Sequence, residues 1–226
     1  MKEEAREIFL FDIPSLLPKF DLKKIEKKIK YLGLIFNFNM EEREEKVFKE
    51  AKKSGFACFS IENMSSSMTC ANLAYNLNQI GESVCIWTNN ILIFQIAGAR
   101  TTIYFYKKNK LYDVDLIKEE FEVEPWKIPD LLSFIGFEEK NVKNVLGIKK
   151  DKILKWIKYF SNTEEIINRL DLLEMVEDEN TFYYQNLIRK QSDKILKNLS
   201  VLKLEPSFLI PVKKEIFSIK KKAKII

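Results

Sequence analysis

The first half of this 226-residue chain alternates short apolar runs with amphipathic segments. Short apolar runs between turn residues predict buried strands, and apolar positions every three or four residues predict helices. The predicted strands are 8–11, 34–38, 57–61, 83–87, 91–96 and, at a sheet edge, 101–106. The predicted helices between them are 22–32, 41–54 and 68–80. Strands alternating with helices predict an α/β fold, with a mostly parallel sheet that helices cover on both faces.

The pattern changes after about residue 112 and predicts helices only. Their predicted ranges are 116–121, 128–134, 151–160, 163–173 and 182–196. The sequence therefore predicts two domains, an α/β domain over residues 1–112 and a helical domain over residues 113–226 with a basic C-terminal end.

Composition excludes several kinds of chemistry. The chain has no histidine, which removes imidazole acid–base catalysis, histidine-ligated zinc and the Ser-His-Asp triad. Cys58, Cys70 and Cys85 are widely spaced and form no C-x-x-C pair, so a zinc site or a disulfide framework is not expected. The longest apolar stretch, 91–99, is too short to span a bilayer. We therefore expect a cytoplasmic protein without a membrane partner.

The formal net charge of +5 is unevenly distributed. Residues 193–226 contain nine lysines and three acids, so the other residues sum to −1. A basic end on a nearly neutral body indicates either an anionic partner or a solvated tail.

Segment 121–170 carries a further pattern: a helix, then Gly136 and Asn141, then Val145, Gly147 and Ile148, then a lysine-rich helix. This order and spacing resemble the helix-three-turn-helix region of the 5′-3′ exonuclease and flap endonuclease family, the type found in the N-terminal nuclease domain of bacterial DNA polymerase I. Further upstream, Leu73, Ala74, Thr88 and Gln95 match the family, and Asp12 falls where its first strand ends in an acid. The resemblance implies a PIN-like (resolvase-like) α/β domain followed by a helical domain of the helix-hairpin-helix type.

The resemblance also implies a changed metal site. The family holds two divalent ions with a cluster of acids, and ions such as Mg²⁺ prefer carboxylate oxygens. At the positions of those acids this chain has Ser65, Ser67, Met68, Asn90, Leu92, Phe137 and Lys140. Only Asp12 is a matched metal ligand, so we expect no cofactor and no catalytic residue. In addition, residues 37–63 leave room for one helix and one strand, which is too short for the family's helical arch.

What remains is a DNA-backbone site predicted at Gly147, Ile148, Lys149, Lys150 and Lys152. A tight hairpin can present backbone N–H groups to a phosphate, and residues 137–160 contain seven lysines against three acids. The leading hypothesis is an inactive member of the family, a pseudonuclease. It would bind duplex or branched DNA in replication or repair, with a DNA polymerase or repair protein as a further partner.

Two alternatives stay open at this point. One is a divergent 5′-3′ exonuclease whose Asp12, Glu138 and Glu139 form a rebuilt Mg²⁺ site. The other is a scaffold protein that keeps the fold without binding DNA.

Overall fold

The structure is a computed structural model that describes residues 7–24, 29–177, 180–206, 210 and 212–218. The chain forms two compact units, Met1–Val114 with Leu204–Ile226, and Asp115–Lys203. The predicted limits, 1–112 and 113–226, differ from these units mainly in the last segment. As limits of independently folding domains they stay predictions.

A six-stranded sheet forms the centre of the first unit. Its strands are β1 (Ile8–Asp12), β2 (Leu32–Ile35), β3 (Ala57–Phe59), β4 (Val84–Thr88), β5 (Thr101–Phe105) and β6 (Lys110–Tyr112). The order is β3-β2-β1-β4-β5-β6. Neighbours from β3 to β5 are parallel, and β6 pairs antiparallel with β5. The predicted α/β fold with a mostly parallel sheet is therefore confirmed.

The helices of this unit follow the strands directly. Their bounds are α1 (Ile13–Leu16), α2 (Glu42–Lys53) and α3 (Ser66–Gln79). Phe11 and Leu34 of the sheet share a buried core with Ala51 of α2. Helix α3 packs against β1, β2 and β4, and the Oγ of Ser65 caps it by accepting a hydrogen bond from Met68 N at 3.2 Å. These contacts fix the two helices that border the carboxyl ends of the central strands.

Three predicted elements of the sheet unit differ from the structure in kind or in place. The strand predicted at 91–96 was wrong, because Ile91–Ile96 is a 3₁₀ helix whose first turn is capped by Asn90. The helix predicted at 22–32 begins with a 3₁₀ turn, Leu22–Lys24, and its positions 25–28 lie outside the described residues. By position 32 the chain has already entered β2. The predicted edge strand, 101–106, lies one place inside the edge, which β6 occupies.

The C-terminal segment returns to the sheet unit. A 3₁₀ helix, Lys214–Phe217, brings the Phe217 ring into full burial, where it stacks on Phe59 with ring centroids 5.1 Å apart. A Cβ on Gly33 of β2 would lie 2.9 Å from this ring, so the glycine makes room for it. Lys214 forms an ion pair with Glu82.

The second unit is helical. Its helices are α4 (Val114–Phe121), α5 (Ile128–Ile135), α6 (Lys150–Tyr159), α7 (Thr163–Asn168) and α8 (Thr181–Leu202), with a 3₁₀ helix at Leu170–Met175. Trp156 is its largest fully buried side chain. Helix α8 packs against α5 and α7. Within the described parts of the chain, no helix is long and apolar enough to cross a bilayer.

Candidate functional site

The carboxyl ends of β1 and β4 define the first candidate site. These neighbouring parallel strands end at Asp12 and Thr88. On one side of this pair the chain adds β2 and β3 outward from β1, and on the other side it adds β5 and β6 outward from β4. The direction in which strands are added therefore reverses between β1 and β4. In open α/β sheets the crevice at such a switch point is the usual place for ligands. The prediction from the sequence that Asp12 ends the first strand is confirmed.

Asp12 is completely buried and held by hydroxyl groups. Its Oδ2 accepts a hydrogen bond from Thr88 Oγ1 at 2.8 Å. Ser15 Oγ lies 3.0 Å from the same Thr88 oxygen and donates to the backbone oxygen of Asp12 at 2.9 Å. Burial strongly raises the pKa of the neighbouring Cys70 thiol, and the Asp12 charge adds to this shift, so the thiol stays neutral. The Thr88 hydroxyl and the Cys70 thiol beside the carboxylate are therefore both neutral groups.

Asn90 continues the network toward α3. Its Nδ2 donates to Ser67 Oγ at 2.7 Å, and its Oδ1 accepts from Leu92 N at 3.0 Å. Its backbone N–H donates to Thr88 Oγ1 at 2.9 Å. Both ends of the Asn90 amide are thus engaged in holding protein structure, and its oxygen caps a helix.

A second buried acid, Glu44, lies in the same unit. Its Oε1 accepts from Asn37 N at 2.6 Å, and Asn37 Oδ1 accepts from Ser66 N at 3.0 Å. Burial raises the pKa of Glu44 above its ordinary value of 4.5, while the hydrogen bonds from Asn37 act in the opposite direction. This residue was not predicted from the sequence. Its signal was present, because Glu44 precedes the core-packed Val47 and Phe48 of α2 by three and four residues and so shares their face.

The donor set does not fit a pair of divalent ions. A two-metal centre needs several carboxylates, since the ions repel each other unless anionic ligands surround them. No group of three or more His, Cys, Asp or Glu residues capable of holding a metal lies among the described residues. Ser65, Ser67 and Asn90 occupy the matched positions with neutral groups that bind one another or the backbone. Glu138 and Glu139, the considered replacements, are exposed residues of a 3₁₀ turn in the helical unit.

The hairpin between α5 and α6 is the second candidate site. Gly136 and Gly147 both have φ of +86°, a region that favours glycine. A Cβ on Gly136 would lie 2.7 Å from Asn144 N, so the first turn requires glycine. A Cβ on Gly147 would lie 3.0 Å from both Leu187 Cδ2 and the Tyr183 hydroxyl, which places the second turn directly beside α8.

Side chains of helix α8 donate hydrogen bonds to backbone carbonyl groups of the hairpin. Asn198 Nδ2 donates to Lys143 O at 3.0 Å, Lys194 Nζ to Asn144 O at 2.7 Å, and Gln191 Nε2 to Leu146 O at 3.3 Å. Among the residues that the structure describes, no acceptor serves the backbone N–H groups of residues 146–149. The hairpin thus turns carbonyls toward α8 and leaves four consecutive amide donors available.

The lysines predicted to contact DNA differ in their surroundings. Lys149, at the start of α6, is exposed. Lys150 Nζ lies 3.4 Å from Glu122, and both side chains are half exposed. Lys152 forms an ion pair with the buried Glu177, which also accepts from Trp156 Nε1 at 2.7 Å, and this partner raises the pKa of Lys152. Lys149 and Lys150 are therefore accessible, whereas Lys152 has a structural role.

Solved structures show which class of fold this is. A mutant of the bacteriophage T5 5′-exonuclease superposes with a TM-score of 0.73 over 89% of this chain and 89% of its own, at 16% sequence identity. A complex of the bacteriophage T5 flap endonuclease with DNA and metal ions superposes with a TM-score of 0.68 over 88% and 89%, at 14% identity. The chain therefore has the PIN-like fold of these nucleases, with a helical part that is consistent with theirs.

Sequence comparison finds similar proteins of one kind. Two curated 5′-3′ exonucleases from Buchnera aphidicola strains match, one at 23% identity over 177 residues and one at 27% over 136 residues. These matches cover 77% and 59% of this chain but 61% and 47% of the relatives, so the chain spans about half of their length. No protein-family model matches. These sequence similarities and the shared fold support the resemblance of the chain to the 5′-3′ exonuclease and flap endonuclease family.

Proposed function

We propose that this protein binds the backbone of duplex or branched DNA through the hairpin at residues 146–149 and the start of α6, without hydrolysing it. The observation that carries this proposal is the set of four consecutive backbone amides for which the described part of the chain offers no acceptor, beside the exposed Lys149 and Lys150. Backbone donors at the N-terminus of a helix favour phosphate, because the helix dipole adds positive potential. Lysines at a helix N-terminus are repelled by the positive end of the dipole unless an anion binds there. A bound phosphate would remove this repulsion.

The donor set at Asp12 supports the absence of hydrolysis. One buried carboxylate within a network of hydroxyl and amide groups cannot neutralise two divalent ions, so the phosphodiester would lack both Lewis acid and activated water. We therefore propose a binding role in replication or repair, with a DNA polymerase or a repair protein as the partner class and a cytoplasmic location.

Fluorescence anisotropy with labelled nicked and flap duplexes tests the binding half of the proposal. The variant is Lys149→Gln with Lys150→Gln, and Lys152 is left unchanged to preserve its pairing with Glu177. On duplex DNA each lost phosphate contact should reduce the slope of log K against log salt by about 0.9, so the pair should reduce it by about 1.8. The loss should be equal for different base sequences, since phosphate contacts carry no sequence information.

Lys46→Gln with Lys49→Gln is the matched control. Among the described residues these exposed lysines of α2 pair only with Glu42 and Glu45, and the change in net charge is the same. Equal weakening by both double variants would contradict a hairpin contact. If the intact protein binds no DNA, the scaffold alternative replaces the proposal. Cleavage of the flap that appears with Mg²⁺ and is lost in Asp12→Asn would establish the enzyme alternative.

A further inference from the structure

Charge is strongly segregated within the helical unit. Residues 115–203 contain fifteen basic and seventeen acidic residues, a net charge of −2. Residues 140–158, which include most of the hairpin and α6, contain seven lysines and one acid. The range of α8, 181–202, contains four basic residues and one acid. On a surface that serves only solubility, positive and negative side chains are interspersed. The concentration of positive charge on these two elements therefore indicates an anionic partner that contacts both.

The lysines of α8 lie beside the hairpin. Lys190, Lys194 and Lys197 are spaced i, i+4, i+7, so at 3.6 residues per turn they lie within about 60° of one another. Lys194 contacts the hairpin directly through Asn144 O at 2.7 Å. Within the described chain, no acidic side chain pairs with Lys190 or Lys197. The ammonium groups of these three lysines thus form a row on α8 that begins beside the hairpin.

We propose that Lys190, Lys194 and Lys197 form a second row of phosphate contacts, so that one DNA strand passes from the hairpin along α8. The inference rests on the proposed DNA-binding function and extends its footprint. From Lys190 to Lys197 the helix rises about 10 Å. One strand of B-DNA presents a phosphate for every 3.4 Å or so of helix axis, so the row spans about three phosphates. Lysine contacts of this kind are independent of base sequence.

The test uses the full chain with Lys190→Gln and Lys197→Gln, because Lys194 also holds the hairpin. Anisotropy titrations on a fluorescent duplex between about 50 and 200 mM salt should show a slope reduced by about 1.8, equivalent to roughly 60-fold weaker binding at 0.1 M. Lys46→Gln with Lys49→Gln is again the control for net charge. Circular dichroism should show unchanged folding in both variants, since both pairs of side chains are solvated.

The outcomes separate this inference from the function on which it rests. If the hairpin variant loses affinity while the α8 variant binds like the control, the second row is refuted and the hairpin site stands. If the wild-type chain binds no duplex, the DNA-binding function itself fails. A slope reduced in both the hairpin and the α8 variants, with the α2 control unchanged, supports one continuous phosphate track.

Discussion

Phe217 gives the sharpest test of how the C-terminal segment stabilises the sheet unit. Its ring is fully buried against Phe59 and fills the space that Gly33 leaves above β2. Phe217→Ala should therefore destabilise the protein by about 3–5 kcal/mol, the usual cost of removing a buried phenyl group and leaving a cavity. With a urea slope of about 2 kcal/mol/M, a loss of 4 kcal/mol lowers the unfolding midpoint by about 2 M.

Ile216→Ala is the matched control, because its side chain is 49% exposed in the same 3₁₀ helix. Its effect should stay within about 0.5 kcal/mol, as for surface substitutions in general. Urea unfolding followed by circular dichroism measures both variants. If Phe217→Ala costs no more than Ile216→Ala, the segment does not dock as the structure has it.

A double-mutant cycle tests the contact itself. Gly33→Ala places a Cβ 2.9 Å from the Phe217 ring, so it should destabilise the wild-type protein and cost less once Phe217 is alanine. A coupling between the two substitutions of about 0.5–3 kcal/mol is expected for groups in contact. Strict additivity would refute the close packing. The same contacts mean that the basic end should be tested by substituting its lysines, since truncation at Pro211 would also remove Phe217.

Three further predictions follow from single contacts. Gly136→Ala should lower the melting temperature and weaken DNA binding, because its Cβ would lie 2.9 Å from Val142 O at a positive φ. The pKa of Lys152 is raised above 10.5 by Glu177, so stability should fall as pH rises beyond about 10.5, and Glu177→Gln should flatten that dependence in urea titrations. Asn90→Asp should show no Mg²⁺ binding by calorimetry at micromolar concentration, since one added carboxylate leaves the charge of two ions largely uncompensated.

Apolar patterning predicted most of the sheet but not every element in it. The run at 91–96 is as apolar as a strand, and periodicity cannot distinguish a short buried strand from a short buried helix. The decisive feature is the side chain of Asn90, which accepts from Leu92 N and starts a 3₁₀ helix. The C-terminal return was hidden because one buried aromatic, Phe217, stands among lysines whose charge dominates the local composition.

Those residues of the candidate sites whose place is set by the neighbouring sequence could be predicted. Asp12 at the end of β1 and Gly147 at a hairpin turn follow from local sequence. The separate role of Lys152 could not be foreseen, because its partner Glu177 is 25 residues away and is buried only by tertiary packing. Long-range pairing therefore decides which lysines of a basic segment are available to a ligand.

Several residues at the positions where the resemblance implies acids are themselves part of the folded structure. Ser65 caps α3, Asn90 caps the 3₁₀ helix and binds Ser67, and Leu92 is almost fully buried. Returning an acid to position 92 would bury a charge without a partner, which costs several kcal/mol unless the group is neutralised. An acid at position 90 would give up the amide donor to Ser67. Because an acid at position 90 or 92 costs stability before any metal binds, neither substitution alone leads back to a two-metal centre, and this packing supports the proposed absence of hydrolysis.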